Sequence, residues 1–565
     1  MDALPALIAI FAPLFASGLI VLFGPSMGER TAVIGIRALA LSAIAGGLTL
    51  YQATHLETVR LVTPWVPELF APIVLVDRLA AVMMMLITGV SLVIHVYSRR
   101  YMQGDQGFVT FFGLLSLLTF VLLALVTSGH LLWLFVAWHA VTWLLRTLLA
   151  FNRHSLAARL AGRTTLRVQG LGDAALLAAI IMIYSAFGTL DLTALFARIQ
   201  DGTPLPVFGA GTWWEIQAVT AITLALILSV MTKSAQFPFH IWLPGTIEAP
   251  TPVSAMLHAG IVNAGGFLVN RLAPLYGVSP TALYVLFIVG ALTALIGAST
   301  MLTQSSIKRT LVYSTMGQMG YMVMECGLGA FALAIFHLCA HGLFKATLFL
   351  NSGVNIHKAR TEFKLPETHA PGTATGFAFM PWATGLGITL VLPLVILLLA
   401  HGAVRIPLFE TQGTTIFLFF AWVTSAQVIF SLYRLNAVAS WKVSVTMVAA
   451  LAFIGLTYLW AGESFTHFLY PAPGQAAAYF QTAAWHQGLF DAVVLLSTTL
   501  IVAVWIVLYG KAHGMSLLLP RRLEEWHARL YVAFLNCLYV EDLLRALSPF
   551  KQRRLGASRP STQLR

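Results

Sequence analysis

The sequence predicts an all-α polytopic membrane protein. Of its 565 residues, 58% are hydrophobic and only 10% are charged, whereas a typical soluble domain carries about 25% charged residues. The hydrophobic residues form long runs separated by short polar loops. Because a membrane-spanning helix needs about 20 apolar residues in succession, we expect one helical bundle with about fifteen transmembrane helices.

Each predicted span is a run of apolar residues bounded by polar or basic ones. The runs lie at 3–23, 32–54, 74–97, 108–127, 130–151, 170–187, 215–243, 248–273, 280–302, 307–328, 330–354, 376–400, 414–435, 443–461 and 489–510. The run at 215–243 is interrupted by proline, and we expect a broken helix there.

The basic residues of the loops predict the orientation of the bundle, because cytoplasmic loops carry an excess of lysine and arginine. If odd-numbered spans end inside, the outside loops contain only Arg60, Arg198, Arg271 and Arg405. The inside loops contain Arg30, Arg99, Arg100, Arg153, Arg159, Arg163, Arg167, Lys308, Arg309, Lys358, Arg360, Lys364, Arg434 and Lys442. We therefore expect the N-terminus outside and the C-terminus in the cytoplasm, in a bacterial inner membrane.

The broken run contains a lysine. Lys233 follows the apolar residues of this run, and Pro238 comes shortly after it. A charged lysine in lipid costs roughly 3 kcal/mol or more, so its side chain should face protein or a wet cavity. His258 lies on the next run. An ionisable residue, a helix break and an ionisable neighbour together predict an ion or proton path.

A second ionisable cluster lies on the run at 330–354. His337, His341 and Lys345 are spaced four residues apart, so they share one helix face and rise about 12 Å along its axis. Histidine titrates near neutral pH, which suits stepwise proton transfer. Two other interpretations stay open. HLCAH could bind zinc, although it lacks the glutamate of HExxH, and transmembrane histidines can ligate b-type haem.

Four further ionisable residues lie in or beside spans. Asp173 follows RVQGLG at the start of the sixth run, where it is a helix N-terminal acid stabilised by the helix dipole, a proton entry group, or a partner that tunes Lys233. His139 lies deep in the fifth run, and Lys308 at an inner helix end is either a topology anchor or part of the path. Glu325 has no partner that the sequence identifies.

Segments outside the spans also have recognisable patterns. Residues 55–72 are expected to form a short outside hairpin. Residues 516–550 alternate large apolar residues with arginine and glutamate, which predicts an amphipathic helix at the membrane surface or on a partner. The three cysteines form no CxxC or CxxCH, which argues against an iron–sulfur or c-type haem protein.

Three stretches resemble a known family. They read TKSAQFPFHIWLPGTIEAPTPVSAMLHAG, SSIKRTLVYSTMGQMGYM and AIFHLCAHGLFKATLFLNSG, and they are similar to the antiporter-like subunits of respiratory complex I and of Mrp-type cation/proton antiporters. The resemblance covers roughly residues 70–355. It implies inverted five-helix repeats, a broken helix with a buried lysine and a hydrated polar axis. The positions that match this family's pathway residues are Lys233, His258, Lys308, His337, His341, Lys345 and Asp173.

The resemblance also divides the chain into regions. These are residues 1–107 with the first three helices, 108–273 with the first repeat, 274–436 with a second, modified repeat, 437–510 with the last helices, and 511–565 with a cytoplasmic amphipathic helix and basic tail.

The chain departs from this family at two functional positions. The fifth run reads AWHAV where the family has GWE, so His139 replaces the carboxylate that usually pairs with the lysine of the first repeat. Residues 376–400 contain no lysine or acid, whereas the family's second broken helix carries both. These departures imply that the usual pair of ion sites is altered.

With these departures, the chain resembles the DabB family, which comprises the membrane subunits of Dab-type inorganic carbon accumulation complexes. This resemblance implies a subunit that is not an enzyme by itself, needs no cofactor of its own and conducts H⁺ or Na⁺ down the gradient. Zinc is expected on a large cytoplasmic, carbonic-anhydrase-like partner, DabA, which hydrates CO₂ to bicarbonate. We expect no nucleic-acid partner. Two alternatives stay open: a proton-pumping subunit of a complex I-like or hydrogenase-type complex, and a Mrp-type Na⁺/H⁺ antiporter subunit.

Overall fold

The computed structural model describes most of the chain outside one long internal segment. It covers residues 3–361 except 56–57, 64, 68, 202–203 and 213–214, residues 460–542 except 461, 473, 513–520 and 541, and the single positions 387, 390, 391, 394, 395, 422 and 449. The predicted spans at 376–400, 414–435 and 443–461 therefore lie largely outside the described residues.

The described part of the chain is helical, with two short antiparallel hairpins. The hairpins pair β1 (Val59–Val62) with β2 (Ile73–Val76) and β3 (Val207–Phe208) with β4 (Ile216–Gln217). The helices α1 to α17 are, in order, Leu4–Met27, Thr31–His55, Arg78–Tyr101, Phe108–Val126, Leu131–Leu149, Leu156–Phe187, Leu192–Gln200, Ala218–Lys233, Thr251–Ala259, Ala264–Arg271, Ala273–Tyr276, Pro280–Thr303, Ile307–Gly327, Phe331–Thr361, Gln475–Ala483, Gln487–Ala512 and Arg521–Leu535.

Within the described residues, eight helical segments are long and apolar enough to cross a membrane. The first of them, Leu4–His55, contains both α1 and α2, which correspond to two predicted spans. The chain is therefore an integral membrane protein with an all-α bundle, as predicted. The total of fifteen spans and the inverted repeats stay predictions.

The two ends of the bundle differ in their loops. The β1–β2 hairpin lies directly before α3; a hairpin was predicted for residues 55–72, but only β1 lies there, and β2 occupies the start of the predicted third span. We call this end the hairpin face. At the other end α3 finishes with Arg99 and Arg100 in its last turn, and we call this end the arginine-rich face.

The helix that contains the sixth predicted span is longer than the apolar run at 170–187. α6 begins at Leu156, where Ser155 Oγ accepts a hydrogen bond from the backbone N–H of Ala158 at 3.2 Å. Asp173 therefore lies in the middle of a 32-residue helix, and its interpretation as a helix N-terminal acid is wrong. The reason is that a hydropathy pattern detects only the apolar part of a helix that continues past the membrane core.

The eighth predicted span is also broken. α9 ends at Ala259 and α10 begins at Ala264, with the single turn Ile261–Asn263 between them. This break contacts the break after α8, because the backbone N–H of Gly265 donates to Ser234 Oγ at 3.1 Å. Two interrupted helices thus meet beside Lys233, and backbone groups of the second break bond the Ser234 hydroxyl of the first, which satisfies polar groups that a broken helix leaves free.

Close packing of α12 against α13 fixes the position of α13. A Cβ on Gly290 or on Gly320 would overlap the backbone of the facing helix. Small residues of this kind let transmembrane helices approach closely. The glycines thereby hold α13, which carries Ser314, Gln318 and Glu325, against the bundle.

The amphipathic segment near the C-terminus contains α17, which lies beside the end of α12. The side-chain amide of Gln304 donates to the carbonyl of Leu535 at 3.3 Å. After α17, Cys537 Sγ lies 2.9 Å from His240 Nε2, and burial raises the pKa of this thiol to about 11. The C-terminal segment therefore contacts the residues that follow the break at Lys233.

Candidate ion-conducting site

The side chain of Lys233 is enclosed by α5 and α6. It is the last residue of α8 and only 1% exposed. Its ammonium donates to Thr142 Oγ1 at 2.6 Å and to the carbonyl of Trp138 at 3.0 Å, and it lies 4.7 Å from the centre of the Trp138 ring. Gln169 Oε1 is 3.5 Å away. A buried ammonium is costly unless its donors are bonded, and these groups supply the acceptors.

Asp173 supplies the compensating negative charge. Its Oδ1 lies 3.4 Å from Lys233 Nζ, and its Oδ2 accepts a hydrogen bond from Thr142 Oγ1 at 3.0 Å. The hydroxyl of Thr142 therefore bridges the ammonium and the carboxylate. The side chain of Asp173 is 4% exposed, so the pair is removed from solvent. Removing one partner from such a buried pair costs about 3–5 kcal/mol.

A glycine sets the distance between these two charges. A Cβ on Gly172 would overlap the side chain of Thr232 and lie 3.2 Å from the carbonyl of Ser229. Asp173 and Lys233 are the next residues on the two helices, so close contact of α6 with α8 brings them together. Gly172 is therefore part of the site, although it carries no functional group.

His139 contacts the other side of Asp173. Its Nδ1 lies 2.8 Å from Asp173 Oδ2, while its Nε2 accepts a hydrogen bond from Trp143 Nε1 at 2.8 Å. Because an indole N–H can only donate, the imidazole proton is on Nδ1 and is donated to Asp173. A neutral imidazole thus stands where the family has a glutamate. The resemblance led us to expect no carboxylate partner for Lys233, but Asp173 provides one.

The second cluster is centred on His337 of α14. Its Nδ1 lies 3.0 Å from Glu325 Oε2, and its Nε2 lies 2.8 Å from Gln318 Oε1. Both ring nitrogens are engaged, so neither is free to ligate zinc or haem iron. Among the described residues, no group of three or more His, Cys, Asp or Glu side chains is placed to hold a metal ion.

His341 and Lys345 continue this cluster along α14. The ring centres of His337 and His341 are 6.4 Å apart, and Lys345 Nζ donates to Ser314 Oγ at 2.8 Å. The ring nitrogens of His341 are buried and hydrogen-bond no other described residue. Buried polar atoms nearly always have a partner, and water is the usual one where protein supplies none. We therefore expect water beside His341.

His258 belongs to the α14 side of the site. Its ring stacks on Phe349, with ring centres 4.3 Å apart, and its Nε2 lies 3.5 Å from Thr246 Oγ1. It is also within electrostatic reach of Lys345. Within the described part of the chain, no hydrogen bond or ion pair joins it to Lys233. Its Nδ1 is another buried atom without a partner there.

Lys308 lies apart from both clusters. It is in the first turn of α13 at the arginine-rich face and is half-buried. It has no hydrogen bond or ion pair to the described residues. On the same helix, Leu311 and Ser314 contact Lys345, so Lys308 is placed at the arginine-rich end of that cluster.

Sequence reasoning missed the neutral polar groups of the site. The hydrogen bonds of the Lys233 cluster involve Thr142 and Gln169, and those of the second cluster involve Ser314 and Gln318. An uncharged polar residue in an apolar run gives little sequence signal. The partner of Glu325 was also missed. Buried His95 was missed too, but both of its ring nitrogens have partners within α3 and α4, which makes it a structural group.

Two family models match the chain. Residues 128–371 match the family described as "NADH:quinone oxidoreductase/Mrp antiporter, TM", and residues 73–112 match "NADH-Ubiquinone oxidoreductase (complex I), chain 5 N-terminus". The first match contains both clusters. Fold and site together define an antiporter-like membrane subunit.

Individual relatives narrow this class. The probable inorganic carbon transporter subunit DabB1 of Halothiobacillus neapolitanus is 40% identical over 540 residues, which cover 94% of each chain. NADH-quinone oxidoreductase subunit L of Neisseria meningitidis is 36% identical over 360 residues, or 61% of this chain and 53% of that one. The chain belongs to the DabB family of complex I- and Mrp-like membrane subunits.

Solved structures share the fold. The Mrp complex from Dietzia sp. matches with a TM-score of 0.61 and 23% identity, over 96% of this chain and 60% of that one. An archaeal membrane-bound sulfane sulfur reductase matches with a TM-score of 0.55 and 17% identity, over 96% and 99%.

Proposed function

We propose that this chain conducts protons, or alternatively Na⁺, down their gradient and thereby drives CO₂ hydration by a zinc-containing, DabA-like partner in the cytoplasm. The chain itself does no chemistry on CO₂. The observation that carries the proposal is the buried pair of Lys233 and Asp173, bridged by Thr142 beside a helix break.

This pair is suited to act as a switch. A proton that leaves Lys233 Nζ for Thr142 Oγ1, while the Thr142 proton moves to Asp173 Oδ2, converts two opposite charges into two neutral groups. Both arrangements avoid an unpaired buried charge, which is the costly state. The site can therefore change its charge distribution without losing its hydrogen bonds, and this is what a coupling element needs.

Our assignment of the partner and of the direction of flow is supported by the names of the relatives and by the charges of the loops. The DabB1 relative is named as a subunit of an inorganic carbon transporter. The arginine-rich face is the predicted cytoplasmic face, and α17 lies beside the end of α12 there with Trp526 and Leu530 exposed. This helix and the basic inner loops are the surfaces on which we place the partner.

Replacement of Lys233 tests the proposal. In a carbonic-anhydrase-deficient strain that expresses the complex, Lys233→Ala should abolish growth in air, because the charge that switches is gone. The variant should still co-purify with its partner. Arg198→Ala removes one exposed positive charge from α7 and should leave growth unchanged. Unimpaired growth of the Lys233→Ala strain in air would refute the role.

A respiratory proton pump is the second candidate, favoured by the 36% identity to subunit L. In that case redox energy would drive protons outward through the same residues. Purification of the native complex followed by metal analysis separates the two. A large zinc-containing partner supports our proposal, whereas flavin and iron–sulfur subunits support the pump.

A further inference from the structure

The second cluster reaches across much of the membrane. Ser314, which binds Lys345, and Glu325, which binds His337, lie on one helix. At a rise of 1.5 Å per residue they are about 16 Å apart along α13, which is more than half of the ~30 Å hydrocarbon core. The cluster therefore extends from the arginine-rich side of α13 towards the hairpin face.

A large cavity lies at the hairpin face where this cluster ends. Its volume is about 960 Å³, and its lining includes Asp77, Asn270, Arg271 and Tyr479. Gly329, just past the end of α13, packs directly on the backbone of Tyr479. The end of α13 that carries Glu325 is thus adjacent to the cavity wall.

Buried polar atoms of the cavity wall lie beside the residue that follows Glu325. The side-chain amide of Asn270 donates to Cys326 Sγ at 3.7 Å, and Cys326 is the neighbour of Glu325 in the sequence. Asn270 Oδ1, Arg271 Nε and Tyr276 Oη are buried without a hydrogen-bond partner among the described residues. Polar atoms of this kind are where ordered water is expected.

An ion pair supports the wall of the cavity. Arg271 Nη1 donates to Asp77 Oδ2 at 2.6 Å, and its Nη2 donates to the carbonyl of Val126 at 2.9 Å. These bonds connect α10 to the start of α3 and the end of α4. They fix the polar end of α10 at the cavity wall, and Asn270 on the same helix contacts Cys326 of α13.

We infer that Glu325 and this cavity form the hairpin-face opening of the ion path, so that the path crosses the membrane along α13 and α14. This inference rests on the proposed function. The Glu325 carboxylate takes up a proton from water beside Asn270 and passes it to His337 Nδ1. The imidazolium then releases its Nε2 proton past Gln318 to water beside His341, and rotation of the neutral ring returns it to its starting state. A path of this kind does not require the lysine that residues 376–400 lack.

The first experiment uses a matched pair of glutamates. In vesicles that contain the purified complex, proton flux is followed with a pH-sensitive dye. Glu325→Gln keeps the shape of the side chain and removes its ability to ionise, and it should lower the flux at least tenfold. The control is Glu463→Gln, because Glu463 pairs with a histidine, His467, that is 75% exposed. Its flux should equal that of the wild type.

The second experiment tests the opening without altering Glu325. All three native cysteines are replaced by serine, and Leu79→Cys places one thiol in the cavity lining. A bulky, membrane-impermeant maleimide added at the hairpin face should then block the flux. Arg198→Cys, an exposed position on α7 that is not part of the lining, should be labelled without any effect on flux.

The outcomes separate this inference from the proposed function. Wild-type flux in Glu325→Gln, or unchanged flux after labelling at Leu79→Cys, overturns the opening even if Lys233→Ala is inactive. If Glu325→Gln does not assemble, the labelling result decides. A wild-type complex that conducts no protons or Na⁺ refutes the proposed function itself.

Discussion

At the residue scale, the site depends on neutral groups as much as on charged ones. Lys233 and Asp173 are 3.4 Å apart, but each also bonds Thr142, at 2.6 Å and 3.0 Å. The direct contact is thus longer than either bond to the hydroxyl. His139 donates to the same carboxylate oxygen as Thr142. The hydroxyl is therefore the shortest connection through which a proton can pass between the two charges.

Thr142→Val tests this connection, because valine keeps the shape and removes the hydroxyl. A hydrogen bond to a charged group contributes about 1.5–3 kcal/mol, so we expect proton flux to fall at least about tenfold. Thr142→Ser retains the hydroxyl and should retain most of the flux. Vesicle flux measurements on the intact complex compare the two.

Thr147→Val is the matched control on the same helix. The hydroxyl of Thr147 donates only to the carbonyl of Trp143 within α5, so its loss should leave flux unchanged. Equal flux in Thr142→Val and Thr147→Val would show that the bridging hydroxyl has no role in conduction.

At the element scale, close helix contacts position the charges. α6 meets α8 at Gly172, and the break after α8 meets the break between α9 and α10 at Ser234. The C-terminal segment reaches the same region through Cys537 and His240. Small shifts of one of these helices therefore change the surroundings of Lys233.

Gly172→Ala should be destabilising, since a methyl group there has no space beside Thr232. Overpacking of this kind typically costs about 1–3 kcal/mol. Gly170→Ala is the matched control on α6, because nothing lies within 4 Å of a Cβ at that position. It should be neutral or stabilising by up to about 1 kcal/mol. Thermal unfolding of the purified complex measures both, and equal midpoints would contradict the packing argument.

At the scale of the whole molecule, the two clusters extend through the bundle in different directions. The Lys233 cluster joins α5, α6 and α8, whereas the second cluster follows α13 and α14 between the two faces. The orientation of these faces decides whether ions that flow down their gradient enter the protein at the hairpin face or at the arginine-rich face. The positive-inside rule assigns the hairpin face to the outside.

Cysteine labelling tests this orientation. In a variant without native cysteines, Thr58→Cys places an exposed thiol beside the β1–β2 hairpin, and His154→Cys places one in an exposed loop at the arginine-rich face. A membrane-impermeant maleimide added to cells with a permeable outer membrane should label only Thr58→Cys. Both should react after the inner membrane is opened. Labelling of only His154→Cys in intact cells would reverse the assigned orientation and place the proposed docking surface of the partner outside.

The sequence by itself determined the features that depend on neighbouring residues. The membrane bundle follows from runs of apolar residues, the break at Lys233 from the proline after it, and the shared face of His337, His341 and Lys345 from a spacing of four. The resemblance to antiporter-like subunits came from continuous motifs. All of these are local in the chain, so a single sequence is enough to find them.

Only the tertiary structure decided which groups meet across helices. Asp173 became the partner of Lys233 because α6 starts earlier than its apolar run and contacts α8 at Gly172. Glu325 contacts His337 because α14 follows α13 and packs back against it. The second break and the hydroxyl of Thr142 were also invisible in the sequence. These contacts depend on helix limits and on how closely helices pack, and neither quantity is encoded in the spacing of residues along one helix.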